Sequence, residues 1–276
     1  MTATVEFTVP SPRGPRTVSA VYERTGRGEP LLLLHGIGHH WQAWEPVLSA
    51  LSAERDVIAV DLPGFGASPA LPDGMSYAMD AMVPVLGALC EALDVERPHV
   101  AGNSLGGLFA LGMGREKLAR SVTALSPAGF WTQPERRYAY ATLRGLRAVA
   151  KGMPLPLVDR LARSGAGRSA LTSAIYAKPG RRSPEAVVAE TLALREAAGF
   201  EPTLRAGLTV QYRDDITDIP VTVAWGTRDR LLPRRQGVRA KGVIPGARLV
   251  RLPGCGHVPM NDDPALVARV VLSTGR

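Results

Sequence analysis

The order of apolar runs and helical patterns predicts an α/β chain: a mostly parallel, eight-stranded sheet flanked by helices, interrupted once by a helical insertion. Three observations carry this. Short continuous apolar runs such as Leu31-Leu-Leu-Leu34 and Val57-Ile-Ala-Val60 read as strands buried on both faces. They alternate with stretches of helical periodicity, which implies parallel pairing through right-handed crossovers. From Gly129 to about Asp215 the alternation stops and helical signals dominate.

Residues 4–9 and 16–23 alternate apolar and polar around Pro10 to Pro15 and predict an antiparallel hairpin. The strand at 31–34 ends in His35-Gly36, and a helix follows over 42–52. The strand at 57–60 ends in Asp61, with a helix over 78–93 behind it. His99-Val-Ala101 is the next strand, leading into a helix from about 105 to 117, and Val122-Thr-Ala-Leu125 follows. Within the insertion, Ser183-Pro-Glu185 reads as a helix start for the stretch to Ala198. The strand signal resumes at Ile219 to Trp225, then come a helix from about 233, a strand near Arg248 to Leu252 and a final helix from Pro264.

A chain of 276 residues with 45% hydrophobic content supports one large core. We expect a core domain of residues 1–129 and 216–276 and a helical cap, or lid, of residues 130–215. The first ten residues have no basic start and no apolar h-region, and no stretch approaches a bilayer-spanning length, so a cytoplasmic protein without a membrane span is expected. Cys90 and Cys255 form no disulfide framework or metal set, and suit unpaired packing in a reducing compartment.

The net charge is +8, and residues 130–215 hold 14 Lys and Arg against 8 Asp and Glu, so most of the excess lies in the insertion. These arginines are scattered and not interleaved with aromatics. A solvated basic surface is therefore favoured over steering of an anionic substrate, and nucleic acid is not an expected partner. Oligomeric state is not readable.

The segment Gly102-Asn103-Ser104-Leu105-Gly106 lies where a short apolar run meets a helical pattern. A serine on a sharp strand-to-helix turn needs small residues two before and two after it, and Gly102 and Gly106 supply them. Serine is a poor nucleophile at neutral pH, so it needs a base, and the base needs an acid to orient it. His257, in the Gly-flanked loop after the last predicted strand, and Asp229, just after the strand before it, fall at the same carboxyl edge of the sheet. The expected oxyanion donors are the backbone N–H groups of Leu105 and of Ile37, in the His35-Gly36-Ile37-Gly38 loop. This chemistry calls for no cofactor and no metal. Three of the five histidines, His35, His39 and His40, share one loop, but no Cys or carboxylate set joins them at ligand spacing. His35 is expected to brace that loop, and Trp41 and Trp44 to pack.

Together these motifs resemble the α/β-hydrolase fold superfamily along nearly the whole chain outside residues 130–215. His35 to Gly38 is similar to its oxyanion loop, Asp61 to Ser68 to its loop after the next strand, and Gly102 to Gly106 to its nucleophile elbow. Trp225 to Asp229 with Pro233 resembles the acid loop, and Gly256-His257-Val-Pro259 through Asp262 and Pro264 the histidine loop. The resemblance implies a cap between strands six and seven. Serine rather than aspartate at position 104 departs from the haloalkane dehalogenases and epoxide hydrolases, and the HGGPG-like loop of proline iminopeptidases is absent. Carbon-carbon hydrolases of ring-cleavage products share a similar elbow, but usually carry HGxGPG and a Trp after the histidine, where this chain has Gly38-His39-His40 and Val258.

Singly, Ser104 reads as a helix cap, Asp229 as a turn former and His257 as a satisfied loop histidine. Their joint occurrence in order at strand ends favours a serine hydrolase acting on an ester, thioester or lactone of a small to medium organic molecule. The alternatives are carbon-carbon hydrolysis, or a receptor or biosynthetic protein that retains the three residues without hydrolysis. Phe130, Trp131, Tyr138, Tyr140 and Met153 are candidates to line an apolar pocket.

Overall fold

Continuous apolar strands need both faces covered, and the computed structural model, which describes residues 2–11 and 14–275, covers them. Met1, Pro12, Arg13 and Arg276 lie outside the described residues, so the turn expected between Pro10 and Pro15 is described only in part. Strands β1 (Thr2–Val9) and β2 (Arg16–Gly26) form the antiparallel pair. Next come β3 (Pro30–Leu34), α1 (Glu45–Ser52), β4 (Asp56–Val60), α2 (Met79–Ala92), β5 (His99–Asn103), α3 (Leu105–Arg115) and β6 (Ser121–Leu125). With β7 (Val221–Gly226) and β8 (Arg248–Leu252) the sheet order is β1-β2-β4-β3-β5-β6-β7-β8, antiparallel across β1-β2-β4 and parallel from there on. Along β3, Leu32 and Leu34 join one core while Leu31 and Leu33 join the other, as period-two alternation dictates. The first core includes residues of α2 and α3, and the second residues of α1 and the C-terminal helix.

Between β6 and β7 the chain forms α4 (Gln133–Gly152), α5 (Leu155–Ala162), α6 (Gly165–Thr172), a 3-10 turn at Pro179–Arg181, α7 (Pro184–Glu196) and α8 (Phe200–Ala206). The start of α4 is fixed by a capping box between Thr132 and Glu135, whose Oε2 accepts from the Thr132 amide at 2.8 Å. The Glu135 carboxylate also pairs with Arg235 and Arg239 and so ties α4 to the helix that begins at Arg235. The chain closes with β7 (Val221–Gly226), α9 (Arg235–Val243), β8 (Arg248–Leu252), a short α10 (Pro259–Asp262) and α11 (Pro264–Leu272).

Of the small differences in element starts, two have a clear physical cause. The helix expected from residue 42 opens as a 3-10 turn at Trp41–Trp44 and becomes α-helical at Glu45, where Pro46 fits the first turn. The strand expected from Ile219 begins at Val221, because Pro220 has no N–H to give the ladder. Trp44 is fully buried and Trp41 packs against the same core. Both thiols are free and buried, and burial pushes Cys90 up to about 12 and Cys255 up to about 11. Among the described residues no helix is long and apolar enough to cross a membrane.

Candidate active site

At the end of β5 the chain reverses into α3 through a single residue, Ser104, at φ 56° and ψ −112°. An L-residue adopts a positive φ at a cost, and the surroundings hold it there. The Ser104 amide donates to the Leu125 carbonyl at 2.9 Å, and its own carbonyl accepts from Leu108 at 3.0 Å and Ala128 at 3.1 Å. A Cβ at Gly102 would collide with the Gly106 carbonyl, and one at Gly106 with the carbonyl of Leu34. Those two glycines therefore permit the close approach that the turn requires.

Asp229 follows β7, and its side chain is fully buried. Its Oδ1 accepts from the Leu231 and Leu232 amides at 2.9 and 2.8 Å, which leaves Oδ2 to accept from His257 Nδ1 at 2.9 Å. That bond places the imidazole proton on Nδ1 and leaves Nε2 as an acceptor. Nε2 is buried without a partner, and His257 and Ser104 line the same cavity. A hydrogen bond from the Ser104 hydroxyl to Nε2 is not made in this structure; such bonds often tighten only once substrate is bound. A second cavity is lined by Ile37, Ser104 and Leu105 together with Trp131, Tyr140 and other apolar residues. Ser104 thus lies between two mostly apolar spaces. As the first residue of α3, Leu105 has an N–H with no carbonyl partner in its own helix.

The loop before α1 is held by its first histidine. His35 Nδ1 donates to the Gly36 carbonyl at 2.7 Å while Nε2 accepts from the Leu62 amide at 3.0 Å. Full burial pushes its pKa down to about 4, so the ring is neutral, as this donor and acceptor pattern requires. Asp61 accepts from the Trp41 and Ala67 amides at 2.6 and 2.8 Å and secures the neighbouring turn. His39 contacts Tyr176, and His40 contacts Gln42. Each of the three rings is engaged with a different group. Among the described residues no cluster of His, Cys, Asp and Glu is arranged to hold a metal ion.

Of the aromatic and Met candidates for a pocket, Trp131 and Tyr140 line the second cavity. Phe130 packs on Tyr212 in the core, Tyr138 is exposed with its hydroxyl on the Arg230 carbonyl, and Met153 ends α4. Two further residues support the site. Asn103 donates through Nδ2 to the carbonyls of His257 at 2.8 Å and Leu125 at 3.1 Å, joining the serine turn to the histidine loop. Asp262 accepts from the Gly256 amide at 2.7 Å and from Ala177 and Lys178 at 3.0 and 2.7 Å. With the Ile175 carbonyl accepting from the His257 amide at 2.8 Å, this fastens the histidine loop to the segment after α6. Asp262 was visible in the sequence only as part of a loop pattern, and Asn103 only as part of the elbow shared with carbon-carbon hydrolases.

The alpha/beta hydrolase family model matches residues 31–270, and the chain belongs to that family. It is 30% identical over 267 residues to a pimeloyl-[acyl-carrier protein] methyl ester esterase of Aeromonas hydrophila, an alignment covering 92% of this chain and 98% of the relative. Among solved structures, a thermophilic esterase from Thermogutta terrifontis superposes with a TM-score of 0.73 at 23% identity, covering 98% of this chain and 97% of that one. A meta-cleavage product hydrolase from Pseudomonas fluorescens gives 0.72 at 22%, covering 97% and 96%. At these identities the two structures establish the fold.

Proposed function

We propose that the protein is a cofactor-independent serine hydrolase that cleaves an ester, thioester or lactone of a small to medium organic molecule through an acyl-enzyme. The observation that carries this reading is the Asp229 to His257 pair, whose unpartnered Nε2 lies in the same cavity as Ser104. Ser104 Oγ attacks the carbonyl carbon while His257 Nε2 takes its proton. The Ile37 and Leu105 amides receive the oxyanion, and collapse expels the alkoxide or thiolate as His257 returns the proton. Water, deprotonated by His257, then releases the acid and frees Ser104. Asp229 orients the ring and stabilises its charged form.

Residues 130–215 act as the cap in this scheme and, with the loop at 36–38, select the substrate. A curated relative named as a methyl ester esterase supports ester chemistry. Carbon-carbon hydrolysis of ring-cleavage products is the second reading, favoured by the Gly102-Asn103-Ser104 turn and the likeness to a meta-cleavage product hydrolase. The two buried free thiols suit a reducing cytoplasm.

A panel of p-nitrophenyl esters of graded chain length, run beside lactones and ring-cleavage dienones, tests the choice. Turnover of esters or lactones at least tenfold above dienones is expected; the reverse order overturns ester hydrolysis. Ser104→Ala and His257→Ala should each lower kcat by several orders of magnitude, and the double variant should lose little more, because the residues act as a unit. Multiplicative losses would contradict the pairing.

A further inference from the structure

The first cavity has one polar end. His39 and Glu190 line it, and with the buried Tyr176 and Arg182 behind them form a chain of contacts from the loop after β3 to α7. Tyr176 donates its hydroxyl proton to Glu190 Oε1 at 2.8 Å, and Arg182 pairs with that same oxygen. Because the tyrosine has spent its only proton, the 3.2 Å contact with His39 requires His39 Nε2 to be the donor. Burial, first, and the neighbouring His40, His35 and Arg182 hold His39 well below the ordinary histidine range, so its Nδ1 is a bare acceptor. That Nδ1, Glu190 Oε2 and Arg182 Nε are all buried without a partner, and of these three residues His39 and Glu190, the two acceptors, line the cavity. A neutral Glu190 would strand the buried Arg182 guanidinium, so although burial pushes its carboxyl up, the pair is held ionised.

His39 and Glu190 both line the cavity that contains Ser104 and His257. A buried acceptor left empty costs free energy that a ligand donor would recover. The network is also electrically balanced, with one carboxylate, one guanidinium and a neutral imidazole, so an ammonium would add an uncompensated charge and a carboxylate would face a lone pair. Glu190 also lines a groove between α4, α6 and α7, which shares Leu146, Ile175 and Leu194 with the inner cavity. The Trp131 and Tyr140 cavity, which shares Ser104 with the inner cavity, is by contrast lined almost wholly by apolar residues.

We propose that Glu190, assisted by His39, forms a recognition subsite for an uncharged hydroxyl group on the substrate, so that one half of the cleaved molecule is hydroxylated and the other apolar. This rests on the reading of Ser104 as the nucleophile.

The test compares donor with acceptor. Methyl 6-hydroxyhexanoate is set against methyl 6-methoxyhexanoate, and 6-hydroxyhexyl acetate against 6-methoxyhexyl acetate, to place the hydroxyl in either half. In the native enzyme kcat/KM for the hydroxyl compound should exceed that for the ether at least tenfold in one of the pairs. In Glu190→Gln the amide oxygen must serve Arg182 and Tyr176, so its NH2 group replaces Oε2, and the ratio should collapse to within threefold or invert. A merely structural Glu190 would lower both rates and leave the ratio. Titration of the same esters into Ser104→Ala reads the preference without turnover, so a failure of the nucleophile assignment is separable from a failure of the subsite. A native ratio near one in both pairs, a ratio unchanged in Glu190→Gln, or tighter binding of 6-aminohexyl acetate than of the hydroxyl ester would overturn the proposal.

Discussion

At position 229 the carboxylate has both oxygens committed, Oδ1 to two backbone amides and Oδ2 to His257. Asp229→Asn would keep those amide contacts through its oxygen and so place its NH2 donor against Nδ1, disfavouring the tautomer that makes Nε2 a base. A loss of about 10³ to 10⁴ in kcat is expected with little change in Tm, from steady-state kinetics and thermal melts; retention of more than a tenth of native kcat would contradict the role given to Asp229. Asp262 should behave differently, because its carboxylate receives three backbone amides and touches no part of the cavity that holds Ser104. Asp262→Ala should cost about 3 kcal/mol in denaturant unfolding, since it strands buried donors. A stability change under 0.5 kcal/mol would show the histidine loop to be held by other means.

The α4 to α8 segment carries the basic excess, and the structure shows what much of it does. Arg147 donates to the Ala197 carbonyl at 2.7 Å, Arg195 to the carbonyls of Ala150 and Met153, Arg163 pairs with Asp159 and Arg182 with Glu190. The carbonyl-bound arginines keep their charge, but among the described residues no Arg or Lys lines either cavity that contains Ser104, so the basic surface has no focus at the site. Raising ionic strength from about 0.01 to 0.5 M should therefore change kcat/KM for a carboxylate-bearing ester less than threefold relative to a neutral ester. A tenfold selective loss for the anionic ester would restore the steering reading. The core elements were legible because Leu31 to Leu34 and Val57 to Val60 state their burial in their own letters, and the glycines around Ser104 state their turn. The polar end of the cavity was not, since His39 and Tyr176 lie 137 residues apart and only the fold brings the segment after α6 against the loop after β3. The same holds for Phe130 and Tyr138, whose aromatic character fits a pocket equally well but which the backbone turns elsewhere.

For the molecule as a whole, the buried histidines tie stability to pH. His35 and His40 are pushed down to about 4, chiefly by burial. Below the unfolded value near 6.5 the unfolded chain takes up protons that the folded one refuses until about pH 4, so each site withdraws up to about 3 kcal/mol across that window as pH falls. Burial pushes the Asp61 and Glu190 carboxyls up and works in the opposite direction, which reduces the net loss. The urea midpoint should drop between pH 7 and 5, and His35→Gln should flatten that slope; a midpoint independent of pH would contradict the neutral, buried rings. The whole account turns on one side chain, held at positive φ where two cavities meet. The most direct test treats the native enzyme with a fluorophosphonate probe and maps the adduct by peptide mass spectrometry. A single adduct on Ser104, absent from Ser104→Ala and strongly slowed in His257→Ala, is the predicted result. Labelling that persists in Ser104→Ala, or that falls on another serine, would contradict it.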